Sequence, residues 1–270
     1  MQQLSKEIIT IITVCYNASS ELVKTINSVR ELLYQPIEYI VIDGNSKDNT
    51  IDIINNNKDI ITAWKSEPDK GLYDAMNKGI SMATGEWICF MNAGDVFMTP
   101  DVLNKVFEHK IPDEVGVIYG DVCLDYSPYG KVVKRMNGLT GKKESTDICH
   151  QSTFTRAALL KANPYDLTYK IASDMNTFYK LWMQGVRFMY VPECISCFEA
   201  FSGVSSTRYL ASFRERTRIH GIYWYNSFYW WSYYFRSVGK TIIQKCLPLS
   251  IHEKYLYSRI LKQNNPRMEK

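Results

Sequence analysis

The chain lacks any apolar run long enough to cross a bilayer. Its longest candidate, Ile222 to Phe235, is 14 residues, against the ~20 that a spanning helix needs. The first ten residues, MQQLSKEIIT, contain no apolar core segment, so no secretory signal is expected. Nor is there a Gly-rich phosphate loop. After the first apolar run the chain reads Cys15-Tyr16-Asn17-Ala18-Ser19-Ser20, where a Rossmann dehydrogenase would need G-x-G-x-x-G, and a P-loop is also missing. No extreme of composition appears: 270 residues with 46% hydrophobic, 22% charged, 14 Gly and 9 Pro exclude disorder, collagen and a small disulfide scaffold. The seven Cys are odd in number and sit mostly in apolar runs, which suggests free thiols in a reducing cytoplasm. Cys194-x-x-Cys197 has no second pair at zinc spacing, so it reads as strand rather than as a metal or redox motif.

What is present is a regular alternation. Ile8–Cys15 is apolar and β-branched, as a strand buried on both faces would be. A helical stripe of Leu22, Ile26, Val29 and Leu33 follows, broken by Pro36. Ile37–Ile42 is a second strand, closed by the turn chemistry of Asp43-Gly44-Asn45-Ser46. Helix from Thr50, strand near 60–65, helix over Leu72–Ala83 and strand over Trp87–Met91 complete four strand–helix alternations in 95 residues. That pattern predicts an α/β fold with a doubly wound, mostly parallel sheet, which binds ligands beyond the carboxyl ends of its strands. Tyr16-Asn17, Asp43, Asp69-Lys70 and Asn92-Ala93-Gly94-Asp95 all fall at such ends. Later elements are sparser: a helix over Asp101–Glu108, a strand over Val115–Tyr119, a polar Gly-rich loop over 126–147, helices over Ala157–Ala162 and Asp174–Gln184, and strand from Phe188.

Four segments together resemble a family: Ile-Thr-Val-Cys-Tyr-Asn at 12–17, Val-Ile-Asp-Gly-Asn-Ser-Lys-Asp-Asn-Thr at 41–50, Glu-Pro-Asp-Lys-Gly-Leu-Tyr-Asp-Ala-Met-Asn-Lys-Gly at 67–79 and Gly-Glu-Trp-Ile-Cys-Phe-Met-Asn-Ala-Gly-Asp at 85–95. They are similar to family 2 glycosyltransferases of the GT-A fold, nearest to the bacterial branch that builds O-antigen and capsular polysaccharides. His150-Gln151-Ser152, Ser173-Asp174 and Ser202-Gly203-Val204-Ser205 extend the likeness more weakly to about residue 206. The resemblance implies inverting transfer of a sugar from a nucleotide-sugar donor, usually a UDP-sugar, to a saccharide acceptor on a lipid carrier. It divides the chain into a nucleotide-sugar-binding half (1–105), an acceptor and catalytic half (106–205) and a tail (206–270).

The resemblance also assigns residues. Asp95 matches the last acid of the family's metal motif. A carboxylate there would hold Mg²⁺ or Mn²⁺ together with the donor phosphates, or it could merely stabilise its turn. Asn92 and Gly94 stand where acids often occur in relatives. Asp43 matches an acid that contacts the nucleoside, with Gly44 in place of a second acid; an Asx-turn role is the alternative. Tyr16 matches an aromatic that flanks the base, with simple packing as the alternative. Asn17 beside it is a nucleotide-binding candidate. Asp69 and Lys70 match the donor-side loop, where Lys70 could meet a phosphate or remain a surface lysine. Asp174 matches the second acid of an E-D pair, with Ser173 replacing the Glu. It would take the proton from the acceptor hydroxyl, or serve as an acid favoured at a helix N-terminus. His150 and Gln151 belong on the acceptor side or are structural.

The charge is uneven. Residues 201–270 hold 12 Lys/Arg against 3 Asp/Glu, a net of +9, while residues 1–200 hold 20 against 25, a net of −5. Ten of the 14 residues from 222 to 235 are Phe, Tyr or Trp. Such a helical, basic and aromatic tail suits peripheral attachment to an anionic membrane, here the cytoplasmic face of a bacterial inner membrane. An oligomer interface is the competing reading. Nucleic acid is disfavoured by the acidic first 200 residues. Two other functions remain open at this point: a sugar nucleotidyltransferase, which would need a basic Gly-rich loop after the first strand, and a non-catalytic assembly protein with a degenerate transferase fold.

Overall fold

A computed structural model describes residues 7–139, 146–201, 208–221 and 228–246, with 248, 251, 253, 254, 257, 258 and 261 beyond them. The strands are β1 (Ile9–Cys15), β2 (Ile37–Asp43), β3 (Ala63–Ser66), β4 (Trp87–Phe90), β5 (Val96–Phe97), β6 (Val115–Asp125), β7 (Lys131–Lys134), β8 (Gly138–Leu139), β9 (Thr146–Asp147), β10 (Thr153–Arg156) and β11 (Arg187–Glu199). The helices are α1 (Ser19–Arg30), α2 (Thr50–Asn56), α3 (Leu72–Met82), α4 (Val102–Val106), α5 (Ala157–Ala162), α6 (Ser173–Met183), α7 (Tyr209–Ile219) and α8 (Phe228–Cys246).

Nine strands form one sheet in the order β3-β2-β1-β4-β10-β6-β11-β5, with β7 added to β6. β1, β2, β3 and β4 pair in parallel, as does β6 with β11, whereas β10 runs antiparallel to both β4 and β6. Every residue of β1 is buried, which is why that segment is almost wholly apolar. Helices cover both faces. On one, Leu22, Ile26 and Val29 of α1, Ile54 of α2 and Leu103 of α4 pack on Ile9, Ile11 and Val41. On the other, Tyr73, Met76 and Ile80 of α3 and Leu160 of α5 pack on Ile12, Ile40 and Ile42. Gly79 lets α3 approach, since a Cβ there would lie 2.5 Å from Ile12 Cγ2.

Parallel pairing sets the carboxyl ends of β1, β2, β3 and β4 along one edge of the sheet. One continuous sheet also runs across residue 105, through β4, β10 and β6. The segment expected to be a loop over 126–147 contains β7, β8 and β9. Val132 is buried there and β7 hydrogen-bonds along Val122–Asp125, so strand β6 extends well past Tyr119. Residues 140–145, 202–207 and 222–227, which hold the whole of Ser202-Gly203-Val204-Ser205 and the first part of the aromatic segment 222–235, lie outside the described residues.

The tail is docked. Phe213 of α7 is buried against Trp230, Tyr233 and Tyr234 of α8, at ring-centroid distances of 5.2, 5.0 and 5.8 Å. Tyr257 lies 5.8 Å from Tyr126 and stacks on Tyr129 at 6.2 Å, back on the turn after β6. Among the described residues no helix is long and apolar enough to cross a membrane.

Candidate active site

The edge formed by the strand ends carries an open pocket of about 350 Å³ lined by Tyr16, Gly44, Asn45, Lys47, Pro68 and Asp69. Its floor is built by short polar bonds. Asp43 ends β2 fully buried, and its carboxylate accepts from Ser46 N (3.0 Å), from Ser66 Oγ (2.6 Å) and from Ser46 Oγ. These bonds hold the turn that presents Gly44 and Asn45. Asn17, at φ +47°, is also engaged: its Oδ1 accepts from Lys47 N at 2.7 Å while its N–H donates to Ser46 Oγ at 2.8 Å. Asp43 and Asn17, expected at the nucleoside, thus lie behind the lining and hold its turn, while Tyr16, 62% exposed, is on the lining itself.

Gly44 answers the question its sequence position raised. A Cβ on it would stand 2.5 Å from Asp69 Oδ2 and 3.2 Å from Tyr16 Cδ2. Asp69 therefore occupies the space that a second acid at 44 would need. Its Oδ1 is fixed by Gly71 N at 2.8 Å. Lys70 is exposed on the same loop, its N–H donating to Asp74 at 2.9 Å. Lys47 was not singled out by sequence; one positive charge in a turn of Gly, Asn, Ser and Asp carries no periodic signal.

A second cluster lies at the end of β4. Asp95 is buried, and its Oδ2 accepts from Asn92 N at 3.1 Å. Burial pushes its carboxyl up to about 6, against the pull of His150, the Asn92 amide and the Gln151 side chain. Gly94 has φ +100°, a conformation in which an acid would be strained. His150 and Gln151 sit in a short helical turn, 150–152, just before β10. His150 Nδ1 is 2.9 Å from Asp174 Oδ2 and its Nε2 is 3.2 Å from Asn92 Nδ2. One proton arrangement satisfies both contacts: Nδ1–H donates to Asp174, and Nε2 accepts from the Asn92 amide.

Asp174 lies in the first turn of α6 and accepts from Tyr73 OH at 2.9 Å. Burial raises its carboxyl, but the His150 hydrogen bond and charge, the Met175 amide and Tyr73 together bring it below the usual carboxylate value. Ser173 is wholly buried and donates to Asp166 O at 2.9 Å, a bond that a Glu in its place could not make while ionised. Tyr73, on α3 of the first half, is the site residue that sequence reading missed; it falls on the helix's buried stripe and looks like core.

The fold thus brings Asp95, His150, Gln151 and Asp174 into one cluster and Tyr16, Asp69 and Lys47 into a neighbouring pocket. Among the described residues no group of three His, Cys, Asp or Glu could by itself hold a metal. What exists is one buried carboxylate with a raised pKa, bonded to the backbone N–H of Asn92, whose Oδ1 is a buried oxygen with no hydrogen-bond partner among the described residues. Two oxygens of this kind fit a hard cation whose remaining ligands come from a diphosphate. Cys194 and Cys197 are free thiols on β11.

The family model for glycosyl transferase family 2 matches residues 10–162. A PGL/p-HBAD biosynthesis glycosyltransferase of Mycobacterium bovis is 29% identical over 212 residues, covering 73% of this chain and 79% of the relative. An uncharacterized glycosyltransferase, Rv1514c, of Mycobacterium tuberculosis is 32% identical over 210 residues, covering 74% and 78%. In three dimensions the chain is similar to mannosyltransferase PcManGT from Pyrobaculum calidifontis, solved in complex with GDP-Man and Mn²⁺, at TM-score 0.65 and 15% identity over 97% of this chain and 82% of that one. The chain belongs to glycosyl transferase family 2 and is an enzyme of that family with the GT-A fold. Membership of this family argues against the nucleotidyltransferase reading of the sequence.

Proposed function

We propose that the enzyme moves a sugar, with inversion, from a UDP-sugar to a saccharide on a lipid carrier during bacterial surface-polysaccharide assembly of the O-antigen type. The observation that carries this reading is the pairing of an open pocket at the β1–β3 ends with a buried acid cluster at the end of β4. Tyr16 offers a ring for the base. Asp69 can accept from uracil N3–H or a ribose hydroxyl, and Asp43 acts behind it by holding the turn. Lys47 and Lys70 offer positive charge to the donor. PcManGT holds GDP-Man, so the fold admits a guanine nucleotide as well.

Asp95, with Asn92 Oδ1, would hold a divalent cation, Mg²⁺ or Mn²⁺, which would neutralise the diphosphate as it leaves. Asp174 is kept ionised by Tyr73 and His150 and takes the proton from the acceptor hydroxyl as that oxygen attacks the anomeric carbon. His150, bonded to Asp174, and Gln151, bonded to Asp95, would face the acceptor.

The tail supports a membrane-bound acceptor. On α8, Phe228, Trp231, Phe235 and Ile242 are exposed, and at 100° per residue they fall within about 60° of one another. This stripe, in a segment of net +9 charge, suits the headgroup zone of an anionic leaflet. Thermal shift with Mn²⁺ and a panel of nucleotide sugars tests the donor assignment. The true donor at ~100-fold its Kd should add about 2.7 kcal/mol, and stabilisation by GDP-sugars but not UDP-sugars would overturn it.

A further inference from the structure

We propose that Glu215, on tail helix α7, is a positioning residue for Asp174. The inference rests on Asp174 being the base of the reaction proposed above. Glu215 reaches out of the tail and accepts from three successive backbone N–H groups: Lys170 N to Oε1 at 2.8 Å, Ile171 N to Oε2 at 2.8 Å and Ala172 N to Oε2 at 2.9 Å. Those residues lead directly into α6, whose first turn holds Asp174.

The segment has few other means of support. Ala172 offers α6 no side-chain cap, and the hydroxyl of Ser173 is spent on Asp166 O. Backbone N–H groups just ahead of a helix need acceptors like any others that are withdrawn from water, and a carboxylate is a strong acceptor well matched to the positive end of a helix. Glu215 meets that need from another element. On the other side of the segment, Tyr73 OH lies 2.8 Å from Ile171 O and 2.9 Å from Asp174 Oδ1. The loop is therefore gripped by its amides from the tail and by a carbonyl from the first half. The base is the next side chain but one.

Arg218, one turn after Glu215, strengthens the grip. Its guanidinium lies 4.6 Å from the centroid of the Tyr169 ring, and its Nη2 is 3.4 Å from Thr168 Oγ1. α7 is thus seated on residues 168–172, and the tail is part of the catalytic construction as well as a surface of attachment. The donor pocket lies at the carboxyl ends of β1–β3, and among the described residues no hydrogen bond joins its lining to Glu215. Loss of Glu215 should displace the base and leave donor binding alone. A displacement of ~1 Å can cost on the order of 100-fold in rate.

The test uses the full chain and two readouts. Glu215→Ala should lower kcat for transfer about 10- to 100-fold while donor KM and donor Kd stay at wild-type values. Amide hydrogen exchange at 170–172 should accelerate in the same variant. Glu215→Gln, which keeps one acceptor oxygen and the side-chain volume, should fall between; it decides the matter if the alanine variant does not fold. Wild-type kcat in either variant, or a loss confined to donor KM, would overturn the proposal. A wild-type chain that transfers no sugar would refute the proposed function instead, and unchanged exchange at 170–172 would still refute the grip of Glu215.

Discussion

His150 Nδ1 stands 2.9 Å from Asp174 Oδ2, joining the turn before β10 to the start of α6. Because burial alone would raise Asp174, this bond is a main reason its carboxyl stays low. Replacing the imidazole should let burial win. In His150→Phe the folded-state pKa of Asp174 should rise, so the base is lost to protonation at a higher pH. The acidic limb of the kcat profile should move upward relative to wild type. An unmoved limb would detach His150 from the base.

Asp95 gives the opposite sign. Its carboxyl is raised to about 6 by burial, above the unfolded value of about 3.9. Its contribution to stability is therefore full at low pH and is lost as pH rises through about 6. In the absence of metal, the protein should gain stability from this group on going from pH 7 to pH 5. Asp95→Asn should flatten that part of the profile, raise Tm at pH 7 without metal, and abolish metal-dependent turnover. Thermal melts with and without Mn²⁺ check this, and normal metal-dependent turnover in the variant would remove Asp95 as ligand.

Gly44 and Asp69 form one unit, since a Cβ at 44 would meet Asp69 Oδ2 at 2.5 Å. Gly44→Ala should push Asp69 aside and weaken donor binding about tenfold, ~1.4 kcal/mol. In a Gly44→Ala/Asp69→Ala double variant the two losses should fall well short of additive, as for side chains in contact. Titration calorimetry with the donor reads this. Full additivity would mean that Gly44 acts otherwise.

The exposed face of α8 should carry the salt-resistant part of membrane attachment. Trp231→Ser with Phe235→Ser should reduce flotation with anionic liposomes at high salt, leaving a weaker, salt-sensitive part at low salt. The stacked pair Trp231–Phe235, 5.8 Å apart, lies outside the Phe213 packing, so folding should survive. Undiminished flotation would exclude this face. Concentration-dependent self-association lost in the same variant would assign it to a second copy of the chain.

How far these features could be read from sequence varies with their physics. β1, β2 and β4 were legible because strands buried on both faces must be almost wholly apolar. The acids at their ends were legible because turn residues interrupt those runs. β10 was not: Thr153, Phe154, Thr155 and Arg156 are only four residues, three of them polar, and pairing with β4 and β6 rather than local pattern makes them a strand. The length of β6 was hidden for the same reason, since Asp121 and Asp125 interrupt it. Asp95 and Asp174 were found by motif. Tyr73 and Glu215 were not, because each acts across 98 or at most 45 residues of sequence on backbone atoms, which leave no trace in composition or period. Gly94 and Ser173, read as departures from the family pattern, have local reasons in a left-handed backbone and a buried hydroxyl bonded to Asp166 O.

The most direct test is nucleoside-diphosphate release by the full chain from the stabilising nucleotide sugar, in the presence of a lipid-linked saccharide acceptor and Mn²⁺. The account predicts release that EDTA abolishes, that Asp95→Ala abolishes, and that Asp174→Asn lowers by ~10²–10⁴-fold with donor binding retained. Release that continues at the wild-type rate in both variants would contradict it.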